Sequence, residues 1–189
     1  MRWIPFLLLA WIFVGLEIGL RAAMPFGEQG IAPSFVLILA VYVAMGAPKP
    51  HALWAAVLLG ACVDLSSRRV LVSPAGASDL IVLGPNVLGY VLLAQFTLTM
   101  RGVVFRKNPI SLAFLALLGG SVCTVLVVAL LSIRSLYDPM DFRPGTALWQ
   151  GLLSSVYTGL VALPLGAVLL MLNPVLGFYS GPTRRGIGR

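Results

Sequence analysis

Four polar residues stand inside long apolar stretches: Glu17, Asp64, Asn86 and Gln150. Glu17 and Asp64 are the only pair that could do acid/base work, and all four could line one polar pocket. No catalytic constellation accompanies them. His51 is the only histidine, so a serine–histidine dyad with Ser121 and a histidine-based metal site both lack partners. No HExxH zinc motif, phosphate-binding P-loop or dinucleotide-binding glycine pattern occurs. Cys62 and Cys123 lie in apolar runs at no metal-ligand spacing and read as small buried hydrophobes. Neither an enzyme nor a cofactor nor a metal is expected.

The elements that must position these four residues follow from composition. Of 189 residues, 59% are hydrophobic and 10% are charged, against about 25% charged in a soluble domain. Mean hydropathy is +0.99. A soluble globule of this size could not hide so much apolar surface, so the solvent is lipid. A disordered chain and a disulfide scaffold are excluded. The net charge of +7 would suggest nucleic acid in a soluble protein. Here the basic residues separate apolar runs and read as topology signals and lipid contacts, with no nucleic-acid partner.

A single membrane domain, all-α and polytopic, is predicted, with six transmembrane helices over about 3–22, 31–47, 51–66, 79–100, 109–133 and 146–172. Pro48-Lys49-Pro50, Ser73-Pro74-Ala75-Gly76, Arg106-Lys107-Asn108-Pro109, Tyr137-Asp138-Pro139, Arg143-Pro144-Gly145 and Asn173-Pro174 supply the breaks. The first run is read as a retained span. It has the length of a membrane helix, and Glu17 and Arg21 stand where a signal-peptide cleavage region is small and neutral. With the N-terminus inside, eight basic residues (Arg2, Lys49, Arg101, Arg106, Lys107, Arg184, Arg185, Arg189) face the cytoplasm and five (Arg21, Arg68, Arg69, Arg134, Arg143) face outward. The bias places both termini in the cytoplasm.

In this frame Glu17, Asp64, Asn86 and Gln150 share a depth in the outer leaflet and form a candidate interaction site. The competing reading is local. Glu17 and Arg21 are spaced i,i+4, as are Asp64 and Arg68, so each acid has a possible partner on its own helix. Asn86 follows Gly84-Pro85 and could serve backbone groups freed by the proline. Gln95 is deeper and is expected to bond between helices. Gly15-Leu16-Glu17-Ile18-Gly19 is a GxxxG spacing. Gly15, Gly19, Gly60 and Gly84 are the candidate helix-packing positions. Trp3, Trp149, Tyr179 and His51 fall at interfaces.

Three runs follow one another in the middle of the chain: Ala32-Pro33-Ser34-Phe35 opening an apolar helix, Gly60-Ala61-Cys62-Val63-Asp64-Leu65, and Leu83-Gly84-Pro85-Asn86 leading to Tyr90. In their order the chain resembles the rod-shape-determining MreD family of bacteria. The resemblance covers roughly residues 31–100. The family often has Asp or Asn where this chain has Ser34, and the stretch from Asp64 to Gly84 is longer than usual. The resemblance implies a fold like the substrate-binding subunits of energy-coupling-factor vitamin transporters. It also implies a non-enzymatic scaffold of the cell-wall elongation machinery in the cytoplasmic membrane. The implied partners are an MreC-like single-span protein, RodA, a class B penicillin-binding protein and the MreB filament. The alternative is a vitamin-binding transporter subunit, which needs an outward pocket of about 300–1,000 Å³.

Overall fold

The computed structural model describes residues 2–23, 31–73, 76–81, 83–102, 108–137 and 142–172. The side chains of 21–23, 68–73 and 76–81 fall outside that description. So do several features read from the sequence: the side chains of Arg21 and Arg68, Asn173-Pro174, Tyr179 and the C-terminal arginines.

Phe35–Gly46 (α2) runs through the middle of the bundle. Every residue from Phe35 to Met45 is buried, because twelve apolar residues without a polar stripe can be satisfied only by packing on all sides. Around it stand Trp3–Ala23 (α1), Lys49–Ser66 (α3), Pro85–Met100 (α4), Pro109–Arg134 (α5) and Pro144–Met171 (α6). α2 touches all five. The prolines in the first turns of α3, α4, α5 and α6 occupy positions that need no N–H.

All six predicted helices are present, and one correction applies. Asp79–Ile81 does not open the fourth helix. It belongs to Gly76–Ile81 (β2), which pairs antiparallel with Arg68–Ser73 (β1), Arg68 opposite Ile81 and Ser73 opposite Gly76. The helix begins at Pro85, and an otherwise helical molecule carries one hairpin. α1, α5 and α6 are the three described helices long and apolar enough to cross a membrane. α2 has 12 residues and α4 has 16, against the roughly 20 that a full span needs.

The glycine expectations divide. A Cβ on Gly15 or Gly19 would meet nothing within 4 Å, so among the described residues no helix packs closely on the GxxxG face of α1. Gly84 also has open space. Its role is conformational, with φ of +129°, a backbone state L-residues rarely adopt. Gly60 is the one true close approach of the four: a Cβ there would lie 2.7 Å from the Cα of Val87. The extensive α5–α6 seam is built from glycines that the pattern search passed over. Gly120 packs on Ser155, Gly151 on Thr124 and Gly159 on Leu117. Small residues at 151, 155, 159, 162 and 166 recur every three or four positions along α6, and that spacing was the available signal.

Gly60→Ala is therefore expected to destabilise the purified protein, by the roughly 1–3 kcal/mol typical of overpacking. Gly15→Ala and Gly19→Ala should leave its melting temperature unchanged. Thermal melts of the three variants in detergent check this. A silent Gly60→Ala would contradict the α3–α4 packing.

Candidate functional site

Two helices begin inside the protein body, and in each case an acid from another helix meets their free N–H groups. The first turn of any helix leaves its N–H groups without carbonyl partners. Where such a start is buried in protein, the chain itself must serve them.

For α2 the accounting is complete. Ser34 is the N-cap, and its own N–H donates to Thr158 Oγ1 of α6 at 2.9 Å. The N–H groups of Phe35 and Val36 donate to Glu17 Oε2 of α1 at 2.6 and 3.2 Å. Leu37 N–H donates to Ser34 Oγ at 3.3 Å, and Ile38 N–H donates to the Ser34 carbonyl at 3.4 Å. Five donors are thus served by α1, by α6 and by the cap itself.

α4 repeats the arrangement with Asp64 of α3. Gly84 N–H and Val87 N–H donate to Asp64 Oδ2 at 2.8 and 3.2 Å, and Asn86 N–H donates to Oδ1 at 3.1 Å. Pro85 has no N–H, and Leu88 N–H donates to the Gly84 carbonyl at 2.9 Å. The Asn86 side-chain Nδ2 adds a fourth bond to Asp64 Oδ1 at 2.8 Å. The unusual φ of Gly84 turns its N–H onto the carboxylate, which explains a glycine immediately before the helix. Glu17 is 5% and Asp64 1% exposed, so both carboxylates are buried against these donors.

The sequence offered each acid a neighbour on its own helix. The structure shows each holding the start of a different helix; the pairings with Arg21 and Arg68 fall on side chains outside the described residues. Gln95 departs from expectation more simply: it is exposed on α4, and its side chain makes no hydrogen bond among the described residues.

Three of the four candidate residues also share a cavity of about 290 Å³. Glu17, Asn86 and Gln150 line it, with Ser34, Tyr90, Ser154, Ser155 and Thr158 among the other polar members. Asp64 stands behind this wall and holds Asn86 in it. The hydroxyls escaped notice in the sequence because serine and threonine are common in membrane helices, where they bond the preceding turn. Here Thr158 Oγ1 donates to the Ser154 carbonyl at 2.7 Å and Ser155 Oγ to the Gly151 carbonyl at 2.9 Å. Ser154 Oγ donates across to the Ala32 carbonyl at 2.6 Å and ties α6 to the approach to α2.

At the other end of the bundle, Arg101 Nη1 donates to the Ala47 carbonyl at 2.9 Å, and the His51 ring lies 5.7 Å from that of Trp3. Among the described residues no group of three or more His, Cys, Asp or Glu is placed to hold a metal.

Ser34, Asp64, Gly84 and Asn86, four of the residues at the starts of α2 and α4, lie in the three runs that carry the family resemblance. The family model for rod shape-determining protein MreD matches residues 1–172. The chain belongs to the MreD family. No curated protein and no solved structure matches it. For an MreD-family chain the match extends well beyond the central third and takes in α1, α5 and α6, the helices that supply Glu17 and the hydroxyl wall. Membership implies a part in rod-shape determination, and the apolar helices fit a membrane protein.

Proposed function

We propose that the chain is a non-enzymatic scaffold subunit of the cell-wall elongation machinery in the cytoplasmic membrane, docking the membrane helix of an MreC-like single-span protein. The family match over residues 1–172 carries this reading. RodA, a class B penicillin-binding protein and the MreB filament are the further partners it implies. Helix docking in lipid rests on shape, small residues and a few hydrogen bonds, which suits a chain whose interior acids are engaged in holding helix starts. The cavity stands just below the usual size range of ligand sites, about 300–1,000 Å³, and nothing favours vitamin transport.

All six helices are placed in the bilayer, the short ones shielded by the long ones, with both termini cytoplasmic and the hairpin end outside. Single cysteines at Gly145 and Gly102, where a Cβ meets nothing within 4 Å, report the orientation in a background lacking Cys62 and Cys123. The cysteine at 145 should label from outside and the one at 102 from the cytoplasm. The reverse pattern would overturn the topology.

Co-expression with the MreC-like partner tests the function. The chain should retain that partner through two affinity steps in mild detergent, and an unrelated single-span protein should be lost. Equal loss of both would refute the scaffold reading.

A further inference from the structure

One face of α4 packs inside the chain, through Gly89, Tyr90, Leu93, Ala94 and Thr97. The opposite face is a single exposed line: Leu88, Leu92, Gln95 and Thr99. These four are spaced by four, three and four residues, the a/d pattern of a helix seam. Leu88 and Leu92 sit well against lipid tails, and the Thr99 hydroxyl is already served, since Oγ1 donates to the Gln95 carbonyl at 2.9 Å. The Gln95 side chain is the exception. It offers two N–H donors and a carbonyl acceptor and makes no hydrogen bond among the described residues. It lies about 9 Å along the helix from Arg101, whose guanidinium is tied to the Ala47 carbonyl. With α4 in the bilayer, as proposed above, that is farther than a glutamine reaches toward the headgroups. Lipid tails cannot serve an amide.

A second copy of the chain can. Two copies inserted alike in one membrane meet with their α4 helices parallel, and a two-fold axis along the membrane normal sets each seam residue opposite its own counterpart at equal depth. A primary amide is its own complement: Nε2 of one copy donates to Oε1 of the other, and the reverse. We propose that this chain self-associates in the membrane through α4, crossing at about +20° as a/d seams do, with Gln95 paired amide to amide between Leu92 and Thr99. A polar residue at one seam position fixes register and the number of helices. A helix from a different protein would have to bring a polar group of its own to this depth, whereas the second copy brings it by symmetry.

Oxidative cross-linking tests the seam, with the full-length chain in vesicles of phosphatidylethanolamine and phosphatidylglycerol and a background lacking Cys62 and Cys123. Leu92→Cys and Thr99→Cys should form covalent dimers. Trp11→Cys and Leu160→Cys, on the exposed faces of α1 and α6, should cross-link far less. Adding Gln95→Leu to Thr99→Cys should lower the yield by about three- to tenfold, the span that interhelical hydrogen bonds in membranes carry. Gln95→Asn keeps a self-complementary amide and should retain most of the yield. Equal cross-linking at the control positions, or an unchanged yield with Gln95→Leu, would overturn the proposal.

The proposal rests on the placement of α4 in the bilayer. A membrane-impermeant maleimide separates the two: rapid labelling of Leu92→Cys would refute that placement and the seam with it, whereas a shielded Leu92→Cys that does not cross-link would refute the seam alone. Co-expression with the MreC-like partner decides the occupant. Dimers should persist with the partner bound; if the partner abolishes cross-linking and Gln95→Leu releases it, α4 belongs to the partner's helix and self-association is wrong. The cross-linking uses the chain alone, so failure to capture a partner would refute the scaffold reading and leave the dimer standing.

Discussion

Asp64→Ala will lower the melting temperature of the purified protein by about 6–20 °C. The carboxylate receives four hydrogen bonds at 2.8–3.2 Å from Gly84, Asn86 and Val87, and it is 1% exposed. Removing it strands three backbone donors and one amide. Each buried donor left unsatisfied costs about 1–3 kcal/mol. The four act as a unit and do not sum, so a loss of about 3–5 kcal/mol is expected, as when one partner of a buried pair is deleted. For a chain of this size each kcal/mol is worth roughly 2–4 °C. Asp64→Asn keeps one oxygen and should retain about half the effect. If Asp64 served only Arg68 along its own helix, the whole loss would be about 0.2–0.5 kcal/mol. Asp64→Ala would then melt within 2 °C of the wild type, and Arg68→Ala would match it. Asn86→Ala should cost less than Asp64→Ala, and the double variant little more than Asp64→Ala alone. Simple additivity of the two would contradict a shared contact.

Glu17→Ala is the second large effect, expected at about 2–4 kcal/mol on the same reasoning. The Phe35 and Val36 N–H groups both converge on one oxygen, Oε2, at the head of a helix buried from Phe35 to Met45. Losing that oxygen loosens the central helix from α1, so the damage should extend beyond the site. Backbone amide exchange in α2 should accelerate at least tenfold over its first turn, with little change in α5. Glu17→Gln retains an oxygen acceptor and should recover most of the protection. Equal exchange in Glu17→Ala and wild type would show that Ser34 and Thr158 hold the start of α2 without the acid.

These two contacts show where sequence reasoning reaches and where it stops. That Glu17, Asn86 and Gln150 come near one another was within reach of the positions of prolines and arginines, because a helix converts residue count into height. The partners were not. Glu17 bonds N–H groups 18 and 19 residues away, and Asp64 reaches 20 to 23 residues. Backbone donors leave no mark in residue type, whereas an arginine four residues along is conspicuous. Gly84 was legible as a break, but its positive φ, aimed at Asp64, was not. Gly15 and Gly19 have open space beside them: small residues permit close approach without saying which helix makes it. The start of the fourth helix was placed six residues early because Asp79-Leu80-Ile81 continues the apolar run. Strand pairing with Arg68–Val70 is a non-local outcome.

The central claim is that this MreD-family chain supports rod shape through a body whose α3 and α4 are locked by Asp64. The most direct measurement is cell shape in a rod-shaped bacterium depleted of its own MreD-family protein and supplied with this chain and its cognate MreC-like partner. Wild-type chain should restore rods. Asp64→Ala, present in the membrane at equal level, should leave cells round, and Asp64→Asn should fall between. Round cells with the wild-type chain, or full rods with Asp64→Ala, would contradict the account.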